Sequence, residues 1–210
     1  DTPVSRRFWP FATALLLAAA CYAGHHLLLS GYSLTRDEQM ADFDAYIWAH
    51  GKLFWEVPLQ WREGIAALNH SFMLPITGNV AWVSNYLPGN ALLRMLVGRI
   101  AAPALTSPVL VAIGAIALSG VIRRIWPDRN DAVIIGLLLY AGSSQIVLTG
   151  MMAYAMTAHL AFNLCWLWLF LMNKRKADVA ALAIGFLATG LHQPIFHPLF
   201  VLPFFAIIFM

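Results

Sequence analysis

FWPFATALLLAAACYAGHHLLL, residues 8–29, contains no Asp, Glu, Lys or Arg. A bilayer core about 30 Å thick needs roughly 20 consecutive apolar residues per helix, so this stretch is long enough to cross one. TRDEQMADFD, residues 35–44, follows almost at once and is acidic. Carboxylates at the mouth of a membrane helix work where water and lipid meet, and that placement points to a substrate that is itself partly lipid.

Outward from this stretch the apolar pattern repeats. Sixty per cent of the 210 residues are hydrophobic, 11% are charged and mean hydropathy is +0.71, against about 45–50% apolar and about 25% charged in a soluble domain. Further spans are expected at 103–126, 132–149 and 154–172, a shorter one at 179–191, and the start of another at 199–210. The expected fold class is therefore all-α: one polytopic transmembrane helical bundle with a long first extracytoplasmic loop, 30–102, carrying amphipathic interfacial helices. The last residues are still apolar, so the chain reads as the N-terminal portion of a longer protein.

The net charge of +3 and pI near 9.1 do not call for a nucleic-acid partner. Arg6 and Arg7 precede the first span, Arg123, Arg124 and Arg129 follow the second, and Lys174, Arg175 and Lys176 follow the fourth. Threading the chain places all three clusters on one side, as the positive-inside rule requires. An integral protein of a bacterial inner membrane with a cytoplasmic N-terminus is expected. Cys21 and Cys165 both lie in apolar spans, which leaves no disulfide framework and no paired-cysteine metal site. Ala18-Ala19-Ala20-Cys21 resembles a signal cleavage site, but the run continues past it to Leu29, a length that spans.

Residues 30–102 are too many for a simple turn, since connections beyond about 12–15 residues are usually functional or structured. Residues 37–51 read as a helix ended by Gly51, with Met40, Phe43, Ile47 and His50 forming a stripe suited to the membrane interface. A turn-rich stretch with Trp55, Trp61, Trp82 and Tyr86 follows, and such aromatics favour the headgroup region. Residues 90–100 read as a second interfacial helix, with Leu92, Leu93, Leu96, Val97 and Ile100 on one side and Arg94 and Arg99 on the other.

At about 100° per residue Asp37, Asp44 and Trp48 share a column, while Glu38 and Asp42 fall around the far side, facing water. Thr35-x-x-Glu38 is also a capping-box sequence, and acids in a first turn favour the helix dipole. Capping explains Glu38 and part of Asp37, but not Asp42 or Asp44. All seven histidines, at 25, 26, 50, 70, 159, 192 and 197, map to the external half. His192-Gln193-Pro194 and His197-Pro198 break the fifth span, which is tolerable only where protein or a wet cavity satisfies the freed backbone. His159 and His192 are candidates to line one pocket with Asp37. Asp37 with a histidine is chemically acceptable for a metal, though no ligand spacing specifies one.

An acidic pair opening a long first external loop, the Tyr86-Leu87-Pro88-Gly89 stretch before the second span and the short-looped spans beyond resemble the GT-C membrane glycosyltransferases, in particular the branch of protein mannosyltransferases and bacterial transferases of lipid-linked sugars. The resemblance implies transfer of a sugar from a polyprenyl-phosphate donor to a hydroxyl acceptor on lipid, glycan or protein at the extracytoplasmic face. It implies Asp37 and Glu38 as the catalytic pair, with Asp37 as general base or acceptor-orienting carboxylate. Asp44, Tyr86, Arg94, Arg99, His192 and His197 are then expected to bind substrate, with the arginines or His192 meeting the phosphate. It also allows a divalent metal ion. The rival classes are a transporter or lipid flippase, against which the absence of matched halves speaks, and a non-catalytic assembly subunit in which the acids only cap a helix.

Overall fold

A backbone in apolar surroundings must satisfy its own N–H and C=O groups, and this chain does so mostly as helix. The computed structural model describes residues 3–68 and 72–209, excepting the side chains of 3–7, 66, 68 and 207–209; His70 and the side chains of Arg6 and Arg7 thus lie outside the described residues. In chain order these form α1 (Pro3–Leu27), α2 (Arg36–Ala49), β1 (Trp55–Glu56), α3 (Ile65–Leu68), β2 (Ala81–Trp82), α4 (Gly89–Gly98), α5 (Thr106–Ile125), α6 (Asn130–Gly142), α7 (Ser144–Met151), α8 (Ala155–Phe170), α9 (Arg175–Thr189) and α10 (Phe196–Phe209).

Two segments are long and apolar enough to cross a membrane unaided, Phe8–Leu27 and Pro103–Ile125, with mean hydropathies of 1.2 and 2.1. The expected span at 132–149 is broken. α6 and α7 meet at 56°, because Ser143 leaves the helical conformation and its side chain accepts a hydrogen bond from the Ile146 N–H, capping α7. α8 and α10 are apolar but shorter.

α5 is the central helix, packed against α1 on one side and α8 on the other. Ala14, Leu17 and Cys21 of α1 meet Val111, Ala115 and Ile122 of α5 and Val133, Leu137 and Tyr140 of α6. The residues turned outward are equally apolar: Leu15, Leu139, Leu182 and Phe186 are exposed, the last by 80%. Successive helix ends gather on one side of the bundle. His25 Nδ1 hydrogen-bonds the Met151 carbonyl at 2.8 Å, and Ser107 Oγ donates to Met152 at 2.6 Å.

Segment 30–102 sits on that same end, but not as two helices lying on a surface. Met40 and Ile47 of α2 are buried, Phe43 is half-buried and His50 is exposed. The expected interfacial stripe faces protein instead, because α2 packs against α4. Gly51, at φ +70°, closes α2: its N–H donates to Trp48 and that of Lys52 to Ile47, a turn that favours a residue without a Cβ. α4 is amphipathic the other way round. Asn90, Ala91 and Arg94 are buried, whereas Leu92, Leu96 and Ile100 are exposed. Between the two helices a short antiparallel ladder pairs Trp55 with Trp82 and Glu56 with Ala81. Two-residue strands carry no readable alternation, so the sequence showed only turns there.

Gly89 locks this cap onto the bundle. Its N–H donates to the Gly190 carbonyl at 2.7 Å, and a Cβ at position 89 would lie 2.6 Å from that oxygen. Backbone cannot step aside as a side chain can. Gly89→Ala is expected to cost about 1–3 kcal/mol, read as a lower thermal midpoint of the purified protein; an unchanged midpoint would show that the contact is loose.

Candidate functional site

α2 begins with a complete capping box. Thr35 Oγ1 accepts from the Glu38 N–H at 3.4 Å, and Glu38 Oε1 accepts from the Thr35 N–H at 3.2 Å and its hydroxyl at 3.1 Å. Oε2 reaches across to accept from the Ala153 N–H at 2.9 Å. Glu38 is 1% exposed, so it does not face water as expected from the helical wheel. It is a strut that fixes α2 to the α7–α8 turn, and it does not line the cleft beside it.

That cleft is lined by Asp37, Ala41 and Asp44 of α2, Tyr86, Leu87, Asn90 and Ala91 around the start of α4, Tyr154 and Ala155, and Leu191 and His192. Asp37 and Asp44 of the expected column thus line one cavity, while Trp48, its third member, does not. Asp37 is half-buried and accepts a hydrogen bond from the Tyr86 hydroxyl. The Tyr86 ring packs on His192 at 4.5 Å and stacks on Phe72 at 5.5 Å between centroids. Asn90 donates to the Ala153 carbonyl at 2.9 Å, bringing α4 against the same turn that Glu38 holds. Space open to a water-sized sphere is only about 20 Å³, enough for roughly one water.

The electrostatics separate the groups. Burial, and then the hydrogen bond and negative charge of Asp37, raise the Tyr86 phenol well above its ordinary value, so Tyr86 stays a proton donor. Burial lowers His192, with Asp37 opposing it; the imidazole is neutral at pH 7, and its Nδ1 has no partner among the described residues. Burial lifts Asp44 from 3.8 to about 6, with a Ser84 hydrogen bond partly offsetting it.

Asp44 is 4% exposed, so its titration is a stability effect. An acid whose folded pKa is raised binds more protons in the fold than in the open chain between the two values, and stability falls as pH rises through that window. A rise from 3.8 to about 6 corresponds to about 3 kcal/mol, complete above pH 6 and absent below 4. Asp44→Asn is expected to raise the thermal midpoint at pH 7.5 and leave it unchanged at pH 3.5. Equal shifts at both values would mean that the carboxyl is solvated.

Three expected substrate-binding residues lie elsewhere. Arg94 is buried and pairs through Nε with Asp42 at 3.0 Å, and Arg99 donates to the Ala49 carbonyl at 3.0 Å. Both line a separate cavity on another flank of α2. His197 is buried beside Trp166 and hydrogen-bonds Asn163 at 2.7 Å, inside the bundle. His159 does not join the cleft either; it meets Phe196 edge-on, and neither ring nitrogen finds a partner among the described residues. Sequence reasoning missed Tyr154, Asn90 and Leu191. The backbone contacts of Gly89 and Asn90 with Gly190 and Leu191, and the bonds of Asn90 and Glu38 to Ala153, bring those segments together, and one chain carries no signal of them.

No group of three His, Cys, Asp or Glu side chains among the described residues is placed to hold a metal ion. The chain matches no family model, no curated protein and no solved structure.

Proposed function

We propose that this chain is a polytopic membrane glycosyltransferase resembling the GT-C class, acting at the extracytoplasmic face of a bacterial inner membrane with its N-terminus in the cytoplasm. The observation that carries the reading is the Asp37 carboxylate, half-buried, held by Tyr86 and next to neutral His192, at the end of the bundle where α2 and α4 sit. The apolar exteriors of α1, α6 and α9, the outward Leu92 and Leu96 of α4 and Ile100 just beyond it support a lipid setting, because a monomer in water rarely exposes large apolar patches.

In this reading Tyr86 fixes one oxygen of Asp37, and the other takes the proton of an acceptor hydroxyl within hydrogen-bond reach. The hydroxyl oxygen forms a bond to the anomeric carbon as the bond from that carbon to the phosphate oxygen breaks. The polyprenyl phosphate leaves with the electron pair, met by the N–H of neutral His192 and the hydroxyl of Tyr154. Glu38 holds α2 in place and touches no reacting atom.

Membranes carrying the full chain, given polyprenyl-phosphate sugars labelled in a pentose, hexose or aminohexose, are expected to move label to a hydroxyl acceptor. Membranes with Asp37→Asn are expected not to. Absence of transfer from every donor removes the proposal.

A further inference from the structure

The larger cavity on the α2–α4 flank has a chemistry of its own. It opens about 350 Å³, lined by Asp42, Ala45, Tyr46 and Ala49 of α2 and Arg94, Met95, Gly98, Arg99 and Pro103 around α4, a volume within the range of small-molecule sites. On the α2 wheel its lining lies roughly a third of a turn from Asp37, Ala41 and Asp44, so it is not an annex of the cleft. Arg94 is the telling residue. Its side chain is 5% exposed, and its one hydrogen bond among the described residues runs from Nε to Asp42. A guanidinium has five N–H donors, so its terminal nitrogens are left to the cavity it lines. Burying that charge is costly unless each donor is met.

The charge count favours an anion. Two guanidiniums face one carboxylate, and Asp42 is already engaged by Arg94 and by the Ser33 hydroxyl. Ala45, Ala49, Met95 and Pro103 form apolar walls beside that charge, and Leu96 of α4 and Ile100 just beyond it are exposed nearby, at 53% and 88%. One buried and one exposed guanidinium beside apolar walls and an apolar rim match a phosphoryl group carried on an acyl stem.

We infer that the α2–α4 cavity binds a phosphoryl anion, presented as the headgroup of an anionic membrane lipid, at a site distinct from the Asp37 cleft. The lipid setting rests on the membrane reading above; the anion site does not depend on sugar transfer. Bound there, the headgroup meets the free donors of Arg94 and clamps α4 to α2, which holds Tyr86 and Asn90 over the cleft.

The test uses the full chain in nanodiscs of phosphatidylcholine alone and with phosphatidic acid, with inorganic phosphate as a third arm, reading thermal midpoint and lipid retained in native mass spectrometry. Phosphatidic acid is expected to raise the midpoint and to be retained. Arg99→Gln, an exposed position, should weaken retention roughly tenfold, and Arg94→Met should abolish it. Asp37→Asn should bind as the wild type does, so failure of the transfer reaction and failure of this site are read separately. Equal protection by millimolar inorganic phosphate would reassign the source from lipid to free phosphate while keeping the site. Retention that ignores Arg99→Gln, or no response to either phosphoryl probe, overturns it; if Arg94→Met does not fold, Arg99→Gln alone decides.

Discussion

Asp37→Asn is expected to slow sugar transfer by about 10²–10⁴-fold, the usual contribution of a positioned general base, or about 3–5 kcal/mol of barrier. The substitution is informative because it changes so little else. An asparagine oxygen still accepts from the Tyr86 hydroxyl, and the volume is kept. What disappears is the capacity to take the acceptor proton. Initial rates with saturating donor should show the fall in kcat, with KM for donor changed little, because no contact to the lipid phosphate is removed. The thermal midpoint should stay with the wild type. A rate within threefold of wild type, in protein that folds normally, would return Asp37 to the role of a helix-terminal acid and take the proposed chemistry with it.

Glu38→Ala is expected to be the most destabilising single change in the cap. The side chain receives three hydrogen bonds, two from Thr35 and one from the Ala153 N–H. Losing the capping box costs about 1 kcal/mol, and leaving the buried Ala153 N–H unsatisfied costs about 1–3. The space left by the removed methylenes adds to that. A total near 3–5 kcal/mol corresponds to a midpoint lower by roughly 6–20 °C for a chain of this size. Glu38→Gln keeps the volume and, through its one oxygen, the Thr35 contacts, but sets an NH2 against the Ala153 N–H, so it should still cost about 1–3 kcal/mol. These two variants also judge the expectation that Glu38 is catalytic. A strut loses stability first and activity in proportion, whereas a chemical group would lose activity in the glutamine variant while the midpoint held.

How much of this was legible depended on the range of the interactions involved. α1 and α5 were readable because a helix in lipid needs only its own apolar length, a local property. The α2 helix, its capping box and its Gly51 ending were readable for the same reason: donor and acceptor lie within five residues. The sharing of one cleft by Asp37 and Asp44 followed from helical periodicity alone. The break at Ser143 was missed because both halves remain apolar, and composition does not record a bend. Arg94 and Arg99 were expected together on one side, opposite the leucines of α4; Arg94 is buried, whereas Arg99 is exposed as Leu92 and Leu96 are, and Leu93 packs against the bundle. An amphipathic pattern gives two faces without saying which meets protein, and in this chain Asn90 and Arg94 turn inward while Arg99 does not.

The chain by itself determined that it would be helical, strongly apolar, with helices long enough to cross a bilayer and an acid-led helix just after the first of them, since each of these is set by residues close together in sequence. Tertiary structure decided which acid does what. Glu38 and Asp37 are neighbours of the same type, yet one is consumed by the Ala153 amide, 115 positions away, and the other faces Tyr86 and His192. The backbone docking of Gly89 and Asn90 on Gly190 and Leu191 helps bring those partners into place, and contacts of that kind leave no pattern in a single sequence.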